Sequence, residues 1–291
     1  MSMQEQFRLL SVHAHPDDES SKGSASVAKY SDAGVHNVLV CCTGGEEGDI
    51  INEEMNRPEI VENLGAVRRD ELTAATDIIG YHNVIMLGYR DSGMKDSEAN
   101  SHPDCFAAAP LGEAVARLAT IVRAERPHVV MSYGPARGGY EHPDHERVYE
   151  ITLPALELAA SDSTAIDGEP WQVLKLYTMS WSRARMLATH EKFLELGLES
   201  PFSDDWFSRP SNDHLVTTKV PITAEQFDRR CDALLAHKTQ VDPNSPFWFG
   251  LPRAEAVAAY PYEDYELVFS RVESPASESD LFAGITSEAL V

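Results

Sequence analysis

The sequence predicts an α/β protein: a Rossmann-like, mostly parallel sheet with helices on both faces, extended by C-terminal α/β additions. Strand-like segments alternate with helix-like ones four times before residue 160, which is the pattern of an open parallel sheet. Two apolar runs, around Leu9, Leu10 and Val12 and around Val129, Val130 and Met131, are each followed by a cluster of His and Asp. No repeat or low-complexity linker divides the 291 residues, a length that supports a full core. The expectation is one domain over 1–291: a Rossmann-like core over 1–160, substrate-pocket additions over 161–272 and a loose tail over 273–291.

The elements follow in order. Residues 8–13 predict a buried strand. Residues 20–33 predict a helix whose small apolar face is Ala25, Val27, Ala28 and Tyr30, ended by Gly34. Residues 38–42 predict a second strand, after which Gly44-Gly45 opens a long acidic loop that must cover or border something. A long helix over 61–79 stops at Gly80, and 84–87 predict a third strand leading into Gly88-Tyr89-Arg90-Asp91-Ser92-Gly93. A helix over 111–125 and a fourth strand over 128–132 follow. A glycine-rich loop with Gly138-Gly139 comes next, and then a helix over 144–160 with Pro143 in its opening turn. Beyond it the pattern is less regular. Strands are expected over 173–179 and 215–220, helices over 183–196 and 224–237, and a turn before Phe247-Trp248-Phe249. Ser, Pro and Glu in 273–278 suggest the loose tail.

Composition excludes several classes. A formal net charge of -23 argues against nucleic acid or an anionic membrane as partner, because both demand basic patches. No apolar run approaches the roughly 20 residues of a membrane span. The opening Met1 to Phe7 has neither the basic start nor the apolar stretch of a signal peptide. Cys41, Cys42, Cys105 and Cys231 form no CxxC pair and no secreted-type framework, so a reduced, cytoplasmic protein is expected.

The chemistry is concentrated in His13-Ala14-His15-Pro16-Asp17-Asp18-Glu19 and Tyr140-Glu141-His142-Pro143-Asp144-His145. In a parallel sheet, ligands bind beyond the carboxyl ends of the strands, where the strand order reverses. Both clusters lie there, so sequence distance does not prevent them from meeting. A catalytic zinc takes about three protein ligands and keeps a position for water. His15, Asp18 and His145 could supply a His, a carboxylate and a His. Asp17, beside a ligand but pointing elsewhere, would be free to act as general base. His142 stands three residues before His145, on the same side of an opening helical turn, and could face a substrate. Asp144 could orient His142 or favour its charged form. Each of these carboxylates taken alone could also be a helix N-terminal acid favoured by the dipole. His13 is expected to be a core or supporting histidine.

His15-Pro16-Asp17-Asp18-Glu19 with His142-Pro143-Asp144-His145 resembles the LmbE-like, zinc-dependent N-deacetylase family. Gly44-Gly45-Glu46, Arg68-Arg69-Asp70-Glu71-Leu72, Asp91-Ser92-Gly93, Gly138-Gly139-Tyr140 and His237-Lys238-Thr239-Gln240-Val241-Asp242-Pro243 resemble one branch of it, the mycothiol S-conjugate amidases. Lys22 matches a lysine typical of that branch; otherwise it is an exposed lysine at a helix start. The resemblance covers nearly the whole chain. The loop Tyr133-Gly134-Pro135-Ala136-Arg137 lacks the acidic residues expected after the tyrosine, and Glu141 replaces a commoner proline. The resemblance implies a single LmbE-like catalytic domain with Zn2+ on His15, Asp18 and His145; Fe2+ suits the same ligands. It implies Asp17 as base, Tyr140 and His142 at the oxyanion, and Lys22, Arg68 and Asp91 at the substrate, a small-molecule thiol-sugar conjugate cut at its amide. A sister deacetylation of N-acetylglucosaminyl-inositol uses the same site. A non-haem iron oxygenase would leave Asp17, His142 and Asp144 unemployed, and a non-catalytic sugar-binding module would be expected to lose the base.

Overall fold

The computed structural model describes residues 6–136, 140–208 and 210–286. Among these, seven strands form one sheet: β1 (Arg8–His13), β2 (His36–Thr43), β3 (Asn83–Tyr89), β4 (Val129–Ser132), β5 (Lys175–Ser180), β6 (Thr218–Pro221) and β7 (Tyr262–Ser270). Their order is β3-β2-β1-β4-β5-β7-β6. The first five pair in parallel, and β7 runs antiparallel to both β5 and β6. The mostly parallel α/β sheet read from the alternation is the one observed.

The helices are α1 (Asp18–Ser21), α2 (Ser24–Asp32), α3 (Pro58–Val61), α4 (Leu64–Ile79), α5 (Leu111–Glu125), α6 (Pro143–Ala160), α7 (Arg183–Glu195), α8 (Asp204–Ser208), α9 (Ala224–Ala236), α10 (Pro246–Phe249) and α11 (Arg253–Ala259). Successive strand residues point to opposite faces, and both faces are covered. Leu10, Val12 and Val130 pack on Leu118, Ile151 and Ala155 of α5 and α6. Leu9, Val129 and Met131 pack on Val27, Ile79 and Ala233 of α2, α4 and α9. Burial on both faces is why β1 reads as an apolar run. No described helix is long and apolar enough to cross a membrane.

Three differences from the sequence reading have physical causes. The helix expected over 20–33 is two, because Gly23 sits between them at φ +79; the left-handed turn re-aims the chain from the metal-motif turn onto the sheet. Strand β7 was not anticipated. Its Glu263 and Asp264 are buried charges that disguise a sheet segment, accepting hydrogen bonds from the Ser26 amide and the Tyr260 hydroxyl. The tail expected to be loose is packed as far as Ile285. Glu278 takes the ammonium of the fully buried Lys175 at 2.5 Å and the hydroxyl of Tyr177 at 2.5 Å, while Leu281, Phe282 and Ile285 enter the core. Sequence cannot pair Lys175 with a carboxylate 103 residues away. Residues Arg137, Gly138 and Gly139 of the glycine-rich loop lie outside the described residues, as do 287–291 of the tail.

Candidate active site

Strand order reverses between β1 and β4, and the site lies there, past their carboxyl ends. The chain leaves β1 into residues 14–19, leaves β3 into 90–93, and enters α6 at Pro143 after β4. The two His/Asp clusters meet: the His15 ring lies 4.5 Å from that of His142 and 5.4 Å from that of His145.

Asp18 Oδ2 is 3.3 Å from His15 Nδ1 and 3.3 Å from His145 Nε2. Tetrahedral ligands about 2.0–2.1 Å from a zinc ion are separated by roughly 3.3 Å, so this donor set fits the ion. His15, Asp18 and His145 could together hold a metal. The surrounding charge agrees. His15 is buried, yet the carboxylates of Asp144, Asp18 and Asp91 hold its pKa well above the usual value; such a pocket attracts a cation. On its other edge, His15 Nε2 faces Asp144 Oδ2 at 3.2 Å and Asp91 Oδ1 at 3.5 Å. A carboxylate behind a ligating histidine fixes its tautomer and orientation. His15, Asp91 and His142 also come close enough to form a second potential ligand group.

Asp17 has φ 120, a conformation strained for any residue with a side chain. Its amide donates to Glu19 Oε2 at 2.9 Å, and Arg68 Nη2 donates to its Oδ2 at 2.9 Å. Arg68 also donates to the carbonyls of Pro16 at 2.5 Å and Gly45 at 2.6 Å. Behind these, Glu19 meets His237 Nε2 at 2.6 Å with both side chains fully buried. Burial raises the Asp17 pKa despite Arg68, with the Asp18 charge adding to the rise. A carboxylate with raised basicity that still lines the cleft is suited to take a proton from water.

His142 caps α6, its Nδ1 accepting the Asp144 amide at 3.2 Å. The remaining nitrogen, Nε2, therefore carries the proton of a neutral ring. Burial, with the His15 charge beside it, brings the His142 pKa down to about 4, so the neutral ring is the form near pH 7. Asp144 thus orients His142 through its backbone amide, while its carboxylate lies on His15 and accepts the amide of Ser92 at 3.0 Å, together with the Ser92 hydroxyl; the charged form of His142 is not the one favoured. Tyr140 is 63% exposed at the rim, its ring centroid 5.3 Å from that of His145 and 6.0 Å from that of His142.

The substrate-side residues divide. Lys22 is not an exposed helix-start lysine: its Nζ lies 2.6 Å from Asp18 Oδ1. Arg68 and Asp91 line the cleft but are buried, their polar groups engaged with Asp17, His15 and the Gly93 amide. The engaged groups hold Asp17 and His15 in place. The acidic loop borders the cleft through Glu47, Gly48, Asp49 and Ile51, opposite Met94 and Gln240, around a volume of about 280 Å³. Sequence reasoning passed over Tyr133, Ser92 and His237. Tyr133 stacks on His145 at 4.4 Å and meets His13 Nδ1 at 3.3 Å, which makes His13 a supporting residue. Ser92 and His237 lie in Asp91-Ser92-Gly93 and in the segment His237 to Pro243, and that membership was their signal in the sequence.

A family model described as PIG-L, GlcNAc-PI de-N-acetylase, matches residues 10–156. A mycothiol S-conjugate amidase of Streptomyces coelicolor is 41% identical, covering 99% of this chain and all of that one. A 1D-myo-inositol 2-acetamido-2-deoxy-alpha-D-glucopyranoside deacetylase of Streptomyces scabiei is 39% identical over 96% of this chain and 90% of that one. Among solved structures, the N,N'-diacetylchitobiose deacetylase of Pyrococcus horikoshii superposes with a TM-score of 0.62 at 18% identity, covering 91% of this chain and 85% of that one. At that identity the likeness is one of fold.

Proposed function

The chain belongs to the PIG-L family of GlcNAc-PI de-N-acetylases and is a hydrolase of that deacetylase and amidase class; within it, we propose a metal-dependent amidase that hydrolyses mycothiol S-conjugates. The products would be a mercapturic acid and glucosaminyl-inositol, in the cytoplasm, as a detoxification step. The reading is carried by the end-to-end likeness to the Streptomyces coelicolor amidase. Lys22, which matches the amidase branch in sequence and whose Nζ lies 2.6 Å from Asp18 Oδ1, supports it. The second reading, deacetylation of N-acetylglucosaminyl-inositol, is favoured by the nearly equal likeness to the Streptomyces scabiei deacetylase.

His15, Asp18 and His145 would hold zinc or iron(II), which when bound supplies a Lewis acid for the amide carbonyl and lowers the pKa of water. Asp17 takes the proton of the attacking water. Arg68 keeps its carboxylate aimed, and its raised basicity lets it keep the proton until the leaving amine takes it. His142 donates from Nε2 to the developing oxyanion, joined by the Tyr140 hydroxyl from the rim. His15 is held in register by Asp144, itself anchored by Ser92.

The test is amine release from a mycothiol S-conjugate and from N-acetylglucosaminyl-inositol, side by side with zinc-loaded enzyme. A kcat/KM ratio strongly favouring the conjugate is expected. A ratio favouring the small sugar would assign the deacetylase reaction, and silence on both would defeat the two readings together.

A further inference from the structure

A second pocket lies where β5, β6 and β7 meet α7, α9 and α10, and it shares no lining residue with the metal cleft. Its walls are aromatic. Trp181 stacks on Phe247 at 5.6 Å, and Trp248 meets both rings edge-on at 5.8 and 4.8 Å. Phe247 and Tyr262 are nonetheless 37% and 38% exposed. Large rings left open to solvent around a concavity are the usual make-up of a small-molecule site.

The pocket also holds two guanidinium groups. Arg185 lies 4.5 Å from the Trp181 ring centroid and Arg230 lies 5.9 Å from it. Arg230 is only 5% exposed, and among the described residues its guanidinium makes no hydrogen bond or ion pair; its Nε is buried without a partner. Burial and the neighbouring Arg185 charge bring its pKa down to about 10, so it stays charged near neutral pH. The carboxylate that bears on it, Glu263, makes no hydrogen bond to it: Oε2 accepts from the Ser26 amide at 2.7 Å and the Tyr265 hydroxyl at 3.3 Å, and Oε1 is buried without a partner. A desolvated cation without a hydrogen-bonded anion is costly, and here it lines a cavity.

We propose that this pocket is a second ligand site, for a small organic anion with one aromatic ring: the ring stacks among Trp181, Phe247 and Trp248, and its carboxylate pairs with Arg230 and Arg185. Size selects the class. The free volume is about 60 Å³, and at roughly 10–15 Å³ per water on the same measure that is a handful of waters. One ring with a carboxylate fits that space. A planar carboxylate suits the guanidinium fork. The site does not depend on which amide the metal cleft hydrolyses.

The experiment titrates 4-fluorobenzoate into the full-length protein by fluorine NMR, with EDTA present so that the carboxylate cannot bind a metal ion in the cleft. The neutral isostere 4-fluorobenzamide is titrated in parallel. Saturable binding of the benzoate is expected, with the benzamide weaker by about tenfold or more, the loss of a charge-assisted hydrogen bond. Arg230→Met and Arg185→Gln should each weaken the benzoate, and His145→Ala should leave it unchanged. The arginine variants are checked by circular dichroism, and the benzamide comparison needs no variant. Equal affinity for acid and amide, affinity indifferent to both arginines, affinity lost in His145→Ala, or no saturable binding would each overturn the proposal.

Discussion

Asp17 and Asp18 are neighbours with opposite surroundings. Asp18 is held well below the usual carboxylate range: burial raises it, but Lys22 and His145 outweigh that. Asp17 is raised by burial. In the proposed mechanism this contrast suits Asp18 to hold the metal and Asp17 to act as the base. Asp17→Ala should lower kcat by about 10²–10⁴-fold while elemental analysis finds the metal content unchanged. His145→Ala should do the reverse in kind, with metal lost first. Equal metal content in both variants would remove His145 from the ligand set. The Glu19–His237 pair behind Asp17 has no access to solvent, so breaking it on one side leaves a buried charge. Glu19→Ala should cost about 3–5 kcal/mol, read from denaturant midpoints. The Glu19→Ala/His237→Ala double variant should lose clearly less than the sum of the singles. Strict additivity would mean that the two are not coupled.

The turn after β2 shows how an element carries function. Gly45 has φ +69, and a Cβ there would stand 2.3 Å from Arg68 Nη1. Gly45→Ala must displace the guanidinium that aims Asp17, so kcat should fall well beyond any loss of stability. Gly34, which follows α2, has φ +79 but nothing within 4 Å of the same atom. Gly34→Ala should cost only the left-handed penalty of roughly 1–2 kcal/mol and leave turnover unchanged. Matching effects on turnover would show that backbone strain alone, not the Arg68 contact, explains the Gly45 result. Both glycines are visible in the sequence. The Cβ contact that separates them comes from α4, 23 residues beyond Gly45.

The tail closes the molecule. Lys175 and Glu278 are both buried, and the pair joins β5 to the segment that covers one face of the sheet. Burial alone would raise the Glu278 pKa, but hydrogen bonds from Lys175 and Tyr177 outweigh it and hold the value low. A carboxylate lowered on folding adds stability above its unfolded pKa, about 4.3, and that stability is lost as pH falls through the folded value. Urea midpoints followed downward from neutral pH should therefore drop on the acid side, and Glu278→Gln should flatten part of that drop while lowering stability near pH 7, where Lys175 is left uncompensated. An unchanged acid limb would place the titration elsewhere.

The sheet, its parallel pairing and the meeting of the two His/Asp clusters were legible because they rest on local periodicity. Buried strands must be apolar, helices must alternate with them, and parallel strands direct their carboxyl ends to one edge. That His15, Asp18 and His145 come together could be read from residue type and spacing for the same reason. Tertiary structure alone decided which partner each polar group found. The Asp144 carboxylate turned to His15 while its amide holds His142, Arg68 turned to Asp17, Glu278 to Lys175 instead of a free tail, and Arg230 to a ring-lined pocket with no hydrogen-bonded anion. A hydrogen bond or ion pair depends on a few tenths of an ångström and on the water excluded around it, and neither is written in the order of residues along the chain.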